Sequence, residues 1–75
     1  MRFDLKRVKR ATNLDCAGYT DGYVMVMFRG RPTKYIYGPE IPRDTFDKLF
    51  TAAFPDRQFQ LTIKNKYRSH KIESR

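Results

Sequence analysis

The sequence predicts an α+β domain in which a three-stranded antiparallel β-meander packs against one or two C-terminal helices. Three observations indicate this class. Aromatic and β-branched residues are concentrated in two short runs, Gly- and Pro-containing turns bound those runs, and apolar residues after Pro42 repeat at helical spacing. A chain of 75 residues has room for one domain with a thin core.

The predicted strands follow one another through short turns. We place the first strand at residues 15–19, and Asp21-Gly22 after it is a hairpin signal. Tyr23–Phe28 is the clearest strand pattern in the chain, and Lys34–Tyr37 follows it. Gly38-Pro39 ends the last run, because proline has no N–H to donate to a sheet.

A helix is predicted after Pro42, whose missing N–H is tolerated in a first helical turn. Its apolar stripe has the spacing i, i+3, i+4 and i+7 and consists of Phe46, Leu49, Phe50 and Ala53. Pro55 ends this helix.

The segment at residues 57–67 fits two patterns. Phe59, Leu61 and Ile63 alternate as in a strand, whereas Phe59, Ile63 and Tyr67 repeat as in a helix. We favour a second helix, because Asp56 is a suitable N-cap for it.

Charge divides the chain into three parts. Residues 1–10 carry 5 − 1 = +4, residues 64–75 carry 5 − 1 = +4, and residues 11–63 carry 6 − 6 = 0, which together give the formal +8. We therefore predict a basic N-terminal arm or short strand at 1–10, a packed domain at 11–67 and a basic flexible tail at 68–75. If the two ends lie close together, they form one positive patch.

The order of these motifs resembles that of the KTSC domain, a short module named after the C-terminus of some lysyl-tRNA synthetases and also found as stand-alone bacterial and phage proteins. The matching positions cover about residues 11–67 and are Ala11-Thr12-Asn13-Leu14, Tyr19, the run 24–28, Gly30, Tyr35-Ile36-Tyr37, Ile41-Pro42, Phe46, Leu49, Phe50, Ala53, Phe59, Ile63 and Tyr67. The chain departs from the pattern at Ala11-Thr12, where serines are usual, and at Phe54-Pro55-Asp56. The resemblance implies a compact α+β fold, an RNA-binding role and no enzymatic activity.

Residues suited to catalysis are scarce in the sequence. His70 lies in the unpatterned C-terminal segment, and Cys16 has neither a second cysteine nor a nearby histidine, so we expect no enzyme, no metal and no cofactor. No apolar run approaches the length of a membrane span, and no apolar segment follows the basic N-terminus as in a signal peptide. We expect a cytoplasmic protein, either a monomer or a homodimer, with no membrane partner.

The basic ends instead indicate a non-catalytic module that binds nucleic acid, with RNA or single strands favoured because no duplex-reading motif is present. Tyr67, among the C-terminal cations, offers a ring for base stacking. The candidate contacts are Arg2, Lys6, Arg7, Lys9, Arg10, Lys64, Lys66, Arg68, Lys71 and Tyr67, with Arg29, Arg31 and Lys34 around the strand turn as a second set. Excess charge that only keeps the protein soluble is the simpler alternative.

A protein-binding regulator, phage-encoded and directed at a host enzyme complex, is the rival hypothesis. If Val24, Val26 and Phe28 face the helices, then Tyr23, Met25, Met27 and Ile36 share the opposite sheet face. A two-layer domain normally has polar residues there, and methionines adapt readily to partners. This face could be covered by Phe3, Leu5 and Val8 of the arm, by a second copy, or by a different protein.

Overall fold

The structure, a computed structural model, describes residues 2–72. It contains a five-stranded antiparallel sheet with the spatial order β1-β2-β3-β4-β5. The strands are β1 (Lys6–Arg7), β2 (Leu14–Thr20), β3 (Tyr23–Phe28), β4 (Lys34–Tyr37) and β5 (Ser69–Ile72). The α+β class and the central meander are confirmed, whereas the expectation of three strands is wrong, because an additional strand pairs at each edge.

The last strand replaces part of the predicted flexible tail. Ser69–Ile72 pairs with β4, placing His70 opposite Ile36 and Lys71 opposite Tyr35. All four residues of β5 have exposed side chains, so neither face of this strand is buried. The strand therefore does not need the alternation of apolar and polar residues by which strands are predicted. Backbone pairing with β4 orders it instead. Residues 73–75 of the predicted tail lie outside the described residues.

Two helices follow the meander and cover one face of the sheet. Helix α1 spans Arg43–Thr51, and its N-cap is Pro42. Helix α2 spans Pro55–Phe59 and continues as a π-helical segment at Gln60–Lys64. The helical interpretation of residues 57–67 is therefore correct over its first part, and Leu61, which a strand pattern would have paired with the core residues, is 56% exposed.

The core lies between this sheet face and the helices. Its buried hydrophobic residues are Val8, Ala11, Leu14, Ala17, Val24, Val26, Tyr37, Ile41, Phe46, Leu49, Phe59 and Ile63. Of the predicted helical stripe, Phe46 and Leu49 are buried, Phe50 is half-buried against the core, and Ala53 is exposed because α1 has already ended. The ring of Phe59 packs between those of Phe28 and Tyr37, with centroid distances of 5.9 and 5.2 Å.

The N-terminal arm follows β2 and lies over part of the sheet face that is turned away from the helices. The hydroxyl of Thr20 donates to the carbonyl of Arg2, and the side chain of Leu5 lies against Gly18, which pairs with Met25. Of the three arm residues that the sequence offered as one possible cover for this face, Val8 points into the core on the helix side and does not contribute. Phe3 and Leu5 are half-buried. A side chain at Gly18 would meet the carbonyl oxygen of Asp4 at 2.9 Å, so glycine is what allows the arm to lie this close to β2.

Within residues 2–72, no helix combines the length and the apolar character that crossing a membrane requires.

Candidate nucleic-acid interface

An open groove lies where the β3–β4 turn meets the second helix. Its volume is about 590 Å³, within the range of small-molecule sites. We call it the aromatic groove and define it by three cations and four aromatic residues, Arg29, Arg31, Lys64, Phe28, Tyr35, Tyr37 and Phe59. The amide side chains of Asn13 and Gln60 also line it. The groove therefore offers positive charge, apolar ring surface and hydrogen-bonding groups within one concave site.

The strand turn holds its two arginines in place through backbone contacts. Gly30 has a φ of 77°, which L-residues rarely adopt, and this lets the chain reverse between Arg29 and Arg31. The N–H of Arg29 donates to the carbonyl of Asn13 at 2.7 Å, and the N–H of Arg31 donates to that of Phe28 at 3.2 Å. The Arg29 guanidinium also reaches the carbonyl of Ala11 at 3.4 Å. Both arginines are thus presented from a defined turn.

The helical side of the groove supplies the third cation. Lys64 ends the π-helical segment, four residues after Gln60, so both side chains can face the same groove. Phe59, immediately before this segment, is 2% exposed and forms part of the floor. Among residues 2–72, Arg29, Arg31 and Lys64 have no ion-pair partner, so their charges are available to an anion.

Among residues 2–72, Asp56 is the only acidic residue that lines the groove, and its carboxylate is already engaged. It accepts hydrogen bonds from the N–H and hydroxyl of Thr12 at 2.8 and 2.9 Å, and from the N–H of Leu14 at 2.9 Å. The N–H of Asn13 donates to it at 3.2 Å. Partial burial acts to raise the pKa of Asp56, but these hydrogen bonds outweigh burial and hold it below its usual value.

This role differs from the helix cap that the sequence suggested. The N-cap of α2 is Phe54, Pro55 occupies the first turn, and no side chain caps the helix. Asp56 instead joins α2 to the segment that precedes β2, 42 to 44 residues earlier in the chain.

The predicted basic residues do not form one patch. β1 and β5 occupy opposite edges of the sheet, four strand spacings or roughly 19 Å apart. Arg2, Lys6, Arg7 and Lys9 therefore belong to the β1 edge, and Lys66, Arg68 and Lys71 to the β5 side. The single-patch expectation is wrong because three strands separate the two ends of the sheet.

One cation from each terminal set nevertheless lies in a groove with arginines from the middle of the chain. Lys64 from the C-terminal set meets Arg29 and Arg31 from the turn set in the aromatic groove. Arg10 from the N-terminal set lies with Arg57 beside the exposed ring of Phe54. Tyr67 is half-buried against the core and lines neither groove, which favours a packing role over base stacking.

Lys34 lies on the other side of the sheet. The strand pairing places Arg7, Cys16, Met27, Lys34 and Ile72 in one row across the face that is turned away from the helices. We call this the outer sheet face, with Tyr23, Met25, Met27 and Ile36 at its centre. Each of those four residues is half-buried, whereas Val24 and Val26 between them are fully buried. The predicted division of β3 into two faces is therefore correct.

Cys16 on this face is a poor nucleophile. Burial raises the pKa of its thiol, and the neighbouring Asp15 carboxylate raises it further. A raised pKa favours the protonated thiol over the reactive thiolate. In the part of the chain that the structure describes, no three His, Cys, Asp or Glu side chains are grouped so that they could hold a metal ion.

Sequence reasoning missed four residues that line the grooves, namely Asn13, Phe54, Arg57 and Gln60. Arg57 is hidden in the charge count because Asp56 cancels it, and the Asp56 carboxylate is in fact occupied by backbone N–H groups. Phe54 could have been found, since it is a large ring between α1 and Pro55 that belongs to neither helical stripe.

Comparison with known proteins found no family model and no curated protein that matches this chain.

Proposed function

We propose that the protein binds single-stranded nucleic acid, RNA foremost, in the aromatic groove. The observation that carries the proposal is that three cations line one groove together with the half-buried Tyr35. Arg29 and Arg31 come from the strand turn, and Lys64 lies at least 33 residues later in the chain. Cations that follow a phosphate backbone together with rings that stack on unpaired bases are the usual components of single-strand sites. The likeness to the KTSC domain and the cytoplasmic location remain part of this proposal.

The groove favours single strands over duplex DNA for a geometric reason. Reading a duplex in its major groove requires a protruding helix or β-ribbon, whereas these rings lie inside a concave site. A base must leave its stack to reach Tyr35. The amides of Asn13 and Gln60 can then hydrogen-bond to its edge without selecting one sequence strongly.

Salt dependence tests this proposal. Each single-strand phosphate contact contributes about −0.7 to the slope of log K against log salt concentration, so three contacts contribute about −2. We expect the Arg29→Gln/Arg31→Gln/Lys64→Gln variant to have a slope less negative than the parent's by about 2. Fluorescence anisotropy with a labelled uridine octanucleotide measures it.

The matched control removes three cations from the opposite edge of the sheet. Arg2→Gln/Lys6→Gln/Lys9→Gln has the same net charge as the groove variant and should retain the parent's slope. If the control loses the slope and the groove variant keeps it, the interface lies at the β1 edge and the proposal is wrong. A parent protein that binds no single strand at low salt would refute nucleic-acid binding altogether.

The outer sheet face supports a second candidate function, which is docking to a protein partner. Its centre is apolar and only half-buried, and Arg7 and Lys34 stand in one row with Met27. A partner that is apolar in the middle and acidic towards its edges would complement this pattern. Pairing with a second copy would bring like charges together on chains that each carry +8.

A double substitution tests whether this face is a contact surface. We expect Met25→Lys/Met27→Lys to remain folded, with a melting temperature within about 4 °C of the parent, because both positions reach solvent. Its nucleic-acid affinity should be equal or slightly higher. In a pull-down from nuclease-treated lysate, a partner protein that the immobilised parent retains should not be retained by the immobilised variant. Unfolding would instead place both methionines in the core, and unchanged retention would mean that the face binds nothing.

A further inference from the structure

Phe54 is the most exposed large hydrophobic side chain in residues 2–72, with 73% of its surface accessible. It precedes α2 and lines a groove of about 280 Å³ together with Arg10 and Arg57. We call this the Phe54 groove. A ring this exposed contributes little to the core, whereas a groove lined by an exposed ring and two arginines has the composition of a base-stacking site.

The Phe54 groove adjoins the aromatic groove at Asp56, which lines both. Hydrogen bonds from three consecutive residues, Thr12, Asn13 and Leu14, hold the Asp56 carboxylate and offset its charge at the junction. Taken together, the two grooves contain Arg10, Arg29, Arg31, Arg57 and Lys64 against Asp56, or 5 − 1 = +4. A net charge equal to half of the chain's formal +8 thus lines these two adjoining grooves.

We infer that one strand of nucleic acid spans both grooves, with one unpaired base stacked at Tyr35 and a later one at Phe54. This inference rests on the proposed function and extends it from one nucleotide site to a track with two stacking positions. The strand passes Asp56 at the junction, and Arg10 and Arg57 contact the phosphates beyond it. Because phenylalanine has no polar atom, the second position accepts any base.

The experiment compares the affinity of variants for a uridine octanucleotide by fluorescence anisotropy. We expect Phe54→Ala to weaken binding by about five- to a hundred-fold, the range of stacking losses on alanine substitution. Phe54→Tyr keeps the ring and should restore the parent's affinity. Leu61→Ala is the matched control, since Leu61 is also an exposed hydrophobic residue, at 56%, but lines neither groove. Circular dichroism verifies that each variant is folded.

A second variant tests the same track through charge. Arg10→Gln/Arg57→Gln should make the slope of log K against log salt less negative by about 1.4, the value for two single-strand phosphate contacts. If the parent binds the octanucleotide, and both Phe54→Ala and the double arginine variant bind it as the parent does, the track is wrong while the aromatic groove stands. A parent that binds no single strand would refute the proposed function itself.

Discussion

Replacing Phe59 by alanine should destabilise the domain by about 3–5 kcal/mol, the usual cost of truncating a buried phenylalanine. Phe59 is 2% exposed, and its ring contacts Phe28 from β3 and Tyr37 from β4. It therefore fixes the second helix to two strands at once. A chain of 75 residues has a total stability of roughly 4–11 kcal/mol, so this loss approaches the whole of it. Urea denaturation measures the change.

Leu61→Ala provides the control for this prediction. Leu61 lies two residues further along, outside the core and 56% exposed, and its truncation should change the stability by no more than about 0.5 kcal/mol. Equal effects at the two positions would contradict the helical packing. Phe50, which the predicted stripe presented as a core anchor, is half-buried and should show an intermediate loss.

The strands could be predicted where side chains alternate between a buried and a half-buried face. Tyr23–Phe28 and Lys34–Tyr37 have the bounds that the sequence indicates, and β2 extends the predicted strand by one residue at each end. β5 could not be predicted, because all its side chains are exposed and only its backbone is paired. An edge strand of this kind leaves no pattern in the side chains.

The candidate site was predictable only in part, because charge was counted along the chain rather than in space. The count assigned zero net charge to residues 11–63, yet that segment contributes Arg29 and Arg31 to the aromatic groove and Arg57 to the Phe54 groove. Its acidic residues balance these arginines in number but, apart from Asp56, line neither groove. Folding therefore separates charges that the sequence count cancels.

Two segments that lie far apart in the sequence, residues 11–14 and the link between the helices, are joined in the structure. Thr12, in the opening segment, donates two hydrogen bonds to Asp56, in the segment that links the helices. The sequence does not reveal this contact, since a threonine and an aspartate 44 residues apart give no pattern. Their contact also sets the junction between the two grooves.

Removing the Asp56 carboxylate should therefore destabilise the fold by about 3 kcal/mol, because hydrogen bonds to a charged group are each worth roughly 1.5–3 kcal/mol and are not additive. Asp56→Ala leaves three backbone N–H groups and the Thr12 hydroxyl without their acceptor. Asp47→Ala is the control. Asp47 pairs with Arg43 on an exposed helix surface, and its loss should cost no more than about 0.5 kcal/mol.

The same contact predicts how stability depends on pH. The folded-state pKa of Asp56 lies below its ordinary value of about 3.9, so the unfolded chain binds the proton more readily. Its contribution is fully present above that ordinary value and is lost as the pH falls through the folded-state pKa. The stability difference between the parent and Asp56→Asn should thus be constant near neutral pH and shrink below about pH 4. A difference that stays constant into acid would contradict the hydrogen-bonded carboxylate.

Asp56→Asn also separates the structural role of this residue from its effect on binding. The carboxylate stabilises the turn at Thr12–Leu14, but in the described part of the chain it is also the one negative charge in the two grooves, which five cations line. Asparagine removes the repulsion of phosphate while keeping an oxygen that accepts some of the same N–H bonds. We therefore expect this variant to unfold at lower urea concentration and, while folded, to bind a uridine octanucleotide more tightly than the parent. Such opposite changes are typical of a charge kept at a site for stability rather than for binding. If the affinity for the octanucleotide falls together with the stability, then Asp56 contacts the nucleic acid directly. Its carboxylate would then accept hydrogen bonds from the bases, and it would not only lie beside the phosphate backbone.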